Sequence, residues 1–281
     1  MLRFETIVCP VDFSEHSSLA LKYAVQLATQ YESRLVVYHS VVSPVAVPIF
    51  PDRLQGGSPT IMDRNKMLEN YLSAHVPVTM PIVKQVESVP AVAGILQTSE
   101  NENADLIVMG THGATGYEAL FLGSVTQKVL HKSRIPVLTV CRRTKSLAGA
   151  ADSAFAIRRI LCAVEPTQMI NLKRIHIALS LARAYLATLV FFQVRESVEQ
   201  EATLDELKEL MQPEKEEWCK IEYATERGHP RDEILKAIDV HEADLLVIGH
   251  HVRRPGALEV LGSIAFRVIP QSPCPVLVVR D

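Results

Sequence analysis

Ala104-Asp105-Leu106-Ile107-Val108-Met109-Gly110 returns 139 residues further on as Ala243-Asp244-Leu245-Leu246-Val247-Ile248-Gly249. Each is a strand-length apolar run between an acidic residue and a glycine, the pattern of a strand buried on both faces. The same spacing relates Leu122-Gly123-Ser124 to Leu261-Gly262-Ser263, and Pro136-Val137-Leu138 to Pro275-Val276-Leu277. Three anchors at one spacing mark an internal duplication. Near the start of each half the spacing is 153, from Ile7-Val8-Cys9-Pro10-Val11-Asp12 to Ile160-Leu161-Cys162-Ala163-Val164-Glu165. The second copy is therefore 14 residues shorter (153 against 139), and the excess in the first falls on 42–59. That stretch is rich in proline and glycine and reads as a surface loop. Two domains are expected, 1–142 and 157–281, joined by an irregular linker over 143–156 that has few large apolar residues.

Working outward, β-branched runs predict strands at 6–11, 34–39, 78–86, 105–109 and 136–140. Between them, helices are expected after Ser14, over 63–74, over 92–100 and from 124 to 131. Ser14 can cap the first, and Pro90 suits the opening of the third. The second copy repeats the scheme: strands at 159–164, 188–194, 217–223, 244–248 and 276–279, with helices at 172–185, 230–240 and from Ser263. Such alternation implies, in each domain, an open five-stranded, mostly parallel sheet with helices on both faces. Ligands in such sheets sit beyond the carboxyl ends of the strands at the topological switch point, which here carries Asp12 and Gly110.

Composition narrows the classes. The 281 residues are 48% hydrophobic and 22% charged, with a formal net charge of -3. No field of one sign draws the chain to nucleic acid or a membrane surface, so no specific nucleic-acid partner and no membrane are expected. Five scattered cysteines without a CxxC pair argue against a disulfide framework or zinc site. Apolar runs are strand-sized and residues 1–5 open no secretory segment, so the expected location is cytoplasmic.

The chemistry concentrates in Gly110-Thr111-His112-Gly113-Ala114-Thr115-Gly116 and Gly123-Ser124-Val125, which lie between a buried strand and a helix start. Glycines let a backbone approach a ligand closely, and a helix N-terminus offers free N–H groups and partial positive charge. An isolated glycine loop is commonly only a turn. Placement at the switch point makes this one a candidate phosphate site. It is neither G-x-G-x-x-G nor a Walker A loop, which disfavours a dehydrogenase or P-loop ATPase.

The spacing Gly110-x2-Gly113-x9-Gly123-Ser124 resembles the ATP-binding signature of the universal stress protein family. Pro10-Val11-Asp12-Phe13-Ser14, His39-Ser40-Val41 and Pro136-Val137-Leu138 resemble that family too. The resemblance covers nearly all of both halves. It implies two tandem Rossmann-like domains of the adenine nucleotide alpha hydrolase type. It further implies that Asp12 hydrogen-bonds adenine with backbone help from Val11 and Ser40. Gly110 would sit against the ribose, and Gly113, Gly123, Ser124 and Val125 would meet phosphates. Pro10 and Met109 would complete the lining, with His112 near the phosphates and no catalytic role for it. The implied cofactor is ATP or AMP, with the choice and any accompanying Mg2+ left open. Helix capping is the rival reading of Asp12.

The second copy departs from this pattern. Val252 replaces the intermediate glycine, Glu165 replaces Asp12, and Gln193 and Val194 stand where His39 and Ser40 do. A β-branched residue resists positive φ, so weak or absent nucleotide binding is expected there. Arg253 and Arg254 read as a solvated loop. Adjacent His250 and His251 point to opposite faces and make a poor metal site. The family implies instead a structural role, with the last strands, 137–140 and 276–279, pairing into an internal pseudo-dimer. A homodimer of such chains is a further expectation. The expected function is adenine-nucleotide binding in a regulatory or stress-response role. A slow ATPase and a nucleotide-free interaction scaffold are the alternatives. The glycine loop has no catalytic lysine, metal-binding carboxylate pair or general base, which weighs against an enzyme.

Overall fold

A computed structural model describes residues 3–41, 60–112, 122–141, 144, 157–165, 172–196, 203–210, 219–250 and 263–280. The loop 42–59, the linker apart from Thr144, Gly113, Val252 and His251 lie outside the described residues. Among those described, no helix is long and apolar enough to cross a membrane.

One body comprises Phe4–Gly116 and Gly123–Lys132. Its sheet strands are β1 (Thr6–Pro10), β2 (Arg34–Ser40), β3 (Ile82–Glu87) and β4 (Leu106–Gly110). They lie in the order β3-β2-β1-β4, all parallel. Ile7, Val8, Val36 and Ile107 are fully buried in the middle of it. The apolar strand code thus reflects a sheet covered on both faces. The chain runs outward from β1 to β3, then returns to the other side of β1 as β4. That reversal is the switch point.

Its helices are α1 (Glu15–Tyr31), α2 (Ile61–His75), α3 (Ala91–Asn101) and α4 (Ser124–Lys132). Ser14 caps α1, its hydroxyl accepting from Ser17 N, and Ala20, Leu21, Ala24, Leu27 and Ala28 form the buried face. Thr60 and Asp63 make a reciprocal capping box, so α2 begins two residues before the predicted start. β3 begins four residues later than the apolar run suggests. Met80 N donates to Pro77 O in a turn, Val78 is fully exposed, and Pro81, lacking an N–H, stands just before the ladder.

The second body contains Ser133–Asp281. Its strands are β5 (Val137–Val140), β6 (Arg159–Val164), β7 (Thr188–Arg195), β8 (Ile221–Arg227), β9 (Leu245–His250) and β10 (Val276–Arg280). They run in the order β5-β10-β9-β6-β7-β8. All neighbours are parallel except β5 and β10, which are antiparallel, with Leu138 opposite Leu277. The last strand of the first copy thus completes the sheet that carries the second. The helices are α5 (Leu172–Tyr185), α6 (Thr203–Leu210), α7 (Pro230–Val240) and α8 (Ser263–Val268). The sequence reading places no helix at α6, where Leu204 and Leu207 are buried at helical spacing. It also places β8 four residues early. As an edge strand β8 carries Glu222, Glu226 and Arg227 and lacks a clean apolar signal.

The repeated Ala-Asp anchor has a structural purpose. Asp105 accepts from Glu5 N at 2.8 Å and Thr6 N at 3.0 Å, pinning the entry to β1. Asp244 does the same for Arg158 N at 2.7 Å and Arg159 N at 3.0 Å at the entry to β6.

Candidate functional site

The carboxyl ends of β1, β2 and β4 and the start of α4 enclose a cavity of about 370 Å³. Pro10, Val11, Asp12, Ser40, Met109, Gly110, His112, Gly123, Ser124 and Val125 all line it. These are all the predicted site residues except Gly113, which lies outside the described residues. Ser17, Tyr38, His39, Ala91, Ile95 and Thr126 line it too, and the sequence reading assigns none of them.

At the end of β1, Val11 N donates to Tyr38 O at 2.8 Å, carrying the ladder one residue past the strand. Phe13 then adopts φ 65°, a left-handed conformation rare for an aromatic residue. Its ring packs on His39, with centroids 4.4 Å apart, and edge-on against Tyr71 at 5.3 Å. This turn sets Asp12 at the cavity. Asp12 Oδ1 accepts from Ser14 N at 3.1 Å, while Asp12 N donates to Ser17 Oγ at 3.3 Å. Both readings of Asp12 therefore have a basis. It supports the helix entry, although Ser14 is the cap, and it lines the cavity as a carboxylate.

His39 is buried, and its Nδ1 lies 2.8 Å from Val11 O. A carbonyl only accepts, so Nδ1 carries the hydrogen. Burial holds the imidazole below its ordinary pKa and favours the neutral ring; neighbouring Arg64 pushes the same way, while the Val11 bond and Asp12 oppose. Both backbone groups of Val11 are thus engaged within the protein. Ser40 Oγ donates to Val89 O at 2.6 Å, tying the end of β2 to the approach to α3. Ala91 and Ile95 of α3 supply an apolar wall.

The other end is built from β4 and α4. Thr126 Oγ1 donates to Gly110 O at 2.8 Å, and Gly123 N donates to Thr111 O at 2.7 Å. Gly123 O accepts from Gln127 N at 2.9 Å, opening the helix. The Gly123 amide, read from the sequence as a phosphate donor, is therefore spent inside the protein. The first-turn amides of α4 beyond it have no carbonyl one turn back within the helix. Gly110 is small for a reason different from ligand approach. A Cβ there would lie 2.9 Å from the backbone C and O of His16 in α1. Positive φ is not involved at Gly110 or Gly123; among the described glycines only Gly228 has it. His112 Nδ1 lies 2.9 Å from Thr111 Oγ1, and its ring is 5.2 Å from that of His16. No lysine or arginine is among the described lining residues. An anion here would meet helix-start amides and the Ser124 hydroxyl.

The corresponding cavity of the second copy is about 120 Å³, lined mainly by Ala163, Val164, Phe192, Val194, Ile234 and Ile248. Glu165 reaches it, but Arg174 grips that carboxylate, Nη1 to Oε1 at 2.9 Å and Nη2 to Oε2 at 2.5 Å. Gln193, in the place of His39, is fully buried with neither amide atom hydrogen-bonded. His250 is buried at the end of β9.

The universal stress protein family model matches residues 3–140 and again 156–280. The chain belongs to the universal stress protein family. It is similar to a universal stress protein of Methanocaldococcus jannaschii, MJ0531, at 33% identity over half of this chain and 85% of that protein. A universal stress protein of Thermus aquaticus is 34% identical over 49% of this chain and 98% of its own length. Among solved structures, a universal stress protein from Archaeoglobus fulgidus covers 99% of each chain with a TM-score of 0.69 at 20% identity, a likeness of fold. The first two match one copy's length, the third the tandem, in keeping with two successive family domains in this chain.

Proposed function

We propose that this universal stress protein binds an adenine nucleotide, ATP or AMP, in its N-terminal copy and serves as a regulatory protein of the stress-response type. The observation that carries the reading is the single cavity that collects Asp12 from the turn after β1, the end of β4 and the start of α4. Its two ends differ in the way such a ligand requires. Toward Asp12 and Ser40, a carboxylate faces the cavity beside the apolar Ala91 and Ile95, which suits a flat heterocycle bearing an amine. Toward Ser124 and Val125, helix-start amides and a hydroxyl suit phosphate. With no lysine among the described lining residues, the fit is to binding in preference to phosphoryl transfer. The domains would be 1–142 and 157–281, with β5 on β10 making the seam of a pseudo-dimer.

The test is to denature the purified full chain and identify released small molecules by mass spectrometry. Adenine nucleotide at one per chain, lost in Asp12→Ala, is the expected result. No nucleotide, together with no heat of binding on titration with ATP or AMP, would overturn it.

A further inference from the structure

We propose that Arg174 is the residue that keeps adenine nucleotides out of the second copy, by occupying from within the carboxylate that a base would have to reach. The proposal rests on the nucleotide reading of the first copy and goes on to say what decides between the two.

The register of the repeats locates the exchange. Leu189 of β7 stands 154 residues after Leu35 of β2, each next to the edge strand at Ile221 or Ile82. The helices before them end alike at that spacing: Glu32 and Leu186 are both left-handed, and Ser33 N and Ala187 N return to Ala28 O and Ala182 O. Strands β1 and β6 align at 153, so one residue is gained between β6 and α5. Arg174 therefore takes the place of Ala20. Ala20 is fully buried on α1 and reaches nothing beyond its packing.

Arg174 is only 3% exposed, and its fork takes both oxygens of Glu165. A planar guanidinium matches a carboxylate bidentately and neutralises it. It also supplies N–H donors, the groups a base amine would bring. Its removal from Glu165 would strand a buried cation, a penalty of the kind that makes breaking such pairs strongly unfavourable. In the first copy one oxygen of Asp12 takes Ser14 N, and the side chain stands at a cavity three times as large.

Arg174→Ala combined with Glu165→Asp restores the first copy's residues at these two positions. Adenosine is the probe, since it asks nothing of a phosphate loop. Calorimetry on the full chain is expected to give one equivalent for the wild type and two for the double variant. A folded double variant that still binds one overturns the proposal. Should the variant fail to fold by circular dichroism, wild-type methyl spectra decide: signals of Val194 and Ile248 stay fixed on adding adenosine if Arg174 closes the site, and shift if it does not. Zero equivalents in the wild type would strike the nucleotide reading of the first copy, while a gain of one in the variant would still uphold Arg174.

Discussion

Gly110→Ala tests whether β4 and α1 are as tightly joined at the cavity as the geometry requires. The added methyl would lie 2.9 Å from His16 C and O and 3.0 Å from His16 Cβ. Two of those three atoms are backbone, and the turn that holds them is fixed. Ser18 N donates to Ser14 O at 2.9 Å, and Ser14 Oγ accepts from Ser17 N at 3.2 Å. No side-chain rotation relieves the contact, so the start of α1 must move outward. Overpacking of this kind costs about 1–3 kcal/mol. The lower entropy of the unfolded alanine chain offsets about 0.4–1 kcal/mol. A net loss of about 1–2 kcal/mol follows, or a fall in Tm on the order of 3–8 °C for a body this size. Because Asp12 N is tied to Ser17 Oγ in that turn, nucleotide affinity falls as well. Thermal unfolding by circular dichroism and calorimetry with ATP measure the two effects. A Tm equal to or above the wild type, with affinity unchanged, would refute the reasoning.

Thr126→Val leaves the Gly110 carbonyl without its buried donor and is expected to destabilise by about 1–3 kcal/mol in urea titrations, with weaker ATP binding. His39, held below the ordinary histidine value of 6.5 by burial and by Arg64, stays neutral in the fold while the unfolded chain takes up a proton first. Stability is therefore lost as the pH falls through 6.5, by at most about 1.4 kcal/mol per pH unit for one group, and His39→Gln flattens that slope. Native-state thiol titration is expected to find Cys219 first, because Cys9, Cys141, Cys162 and Cys274 are buried and Cys219 only partly so.

The duplication, the strand code and the residues at the strand ends were legible because each rests on local pattern. Asp12, Gly110, Ser124 and their neighbours follow directly from where apolar runs stop. What was not legible depends on packing between distant segments. Gly110 answers to His16, not to a ligand, and nothing in the glycine spacing distinguishes the two. The apolar wall from Ala91 and Ile95 needs α3 to cross the ends of β1 and β2, which no periodicity announces. Arg174 reads as an ordinary helix residue until the one-residue change of register gives it the position Ala20 holds in the first copy, where its guanidinium meets Glu165. β3 and β8 slipped because edge strands carry polar residues that blur their limits.

The most direct test of the account is a crystal of the full chain grown with excess ATP or AMP. The account predicts one nucleotide in the N-terminal cavity, its base beside Asp12 and its phosphates on the first turn of α4. An empty cavity in such a crystal, or a nucleotide bound with its phosphates away from Ser124 and Val125, would contradict it.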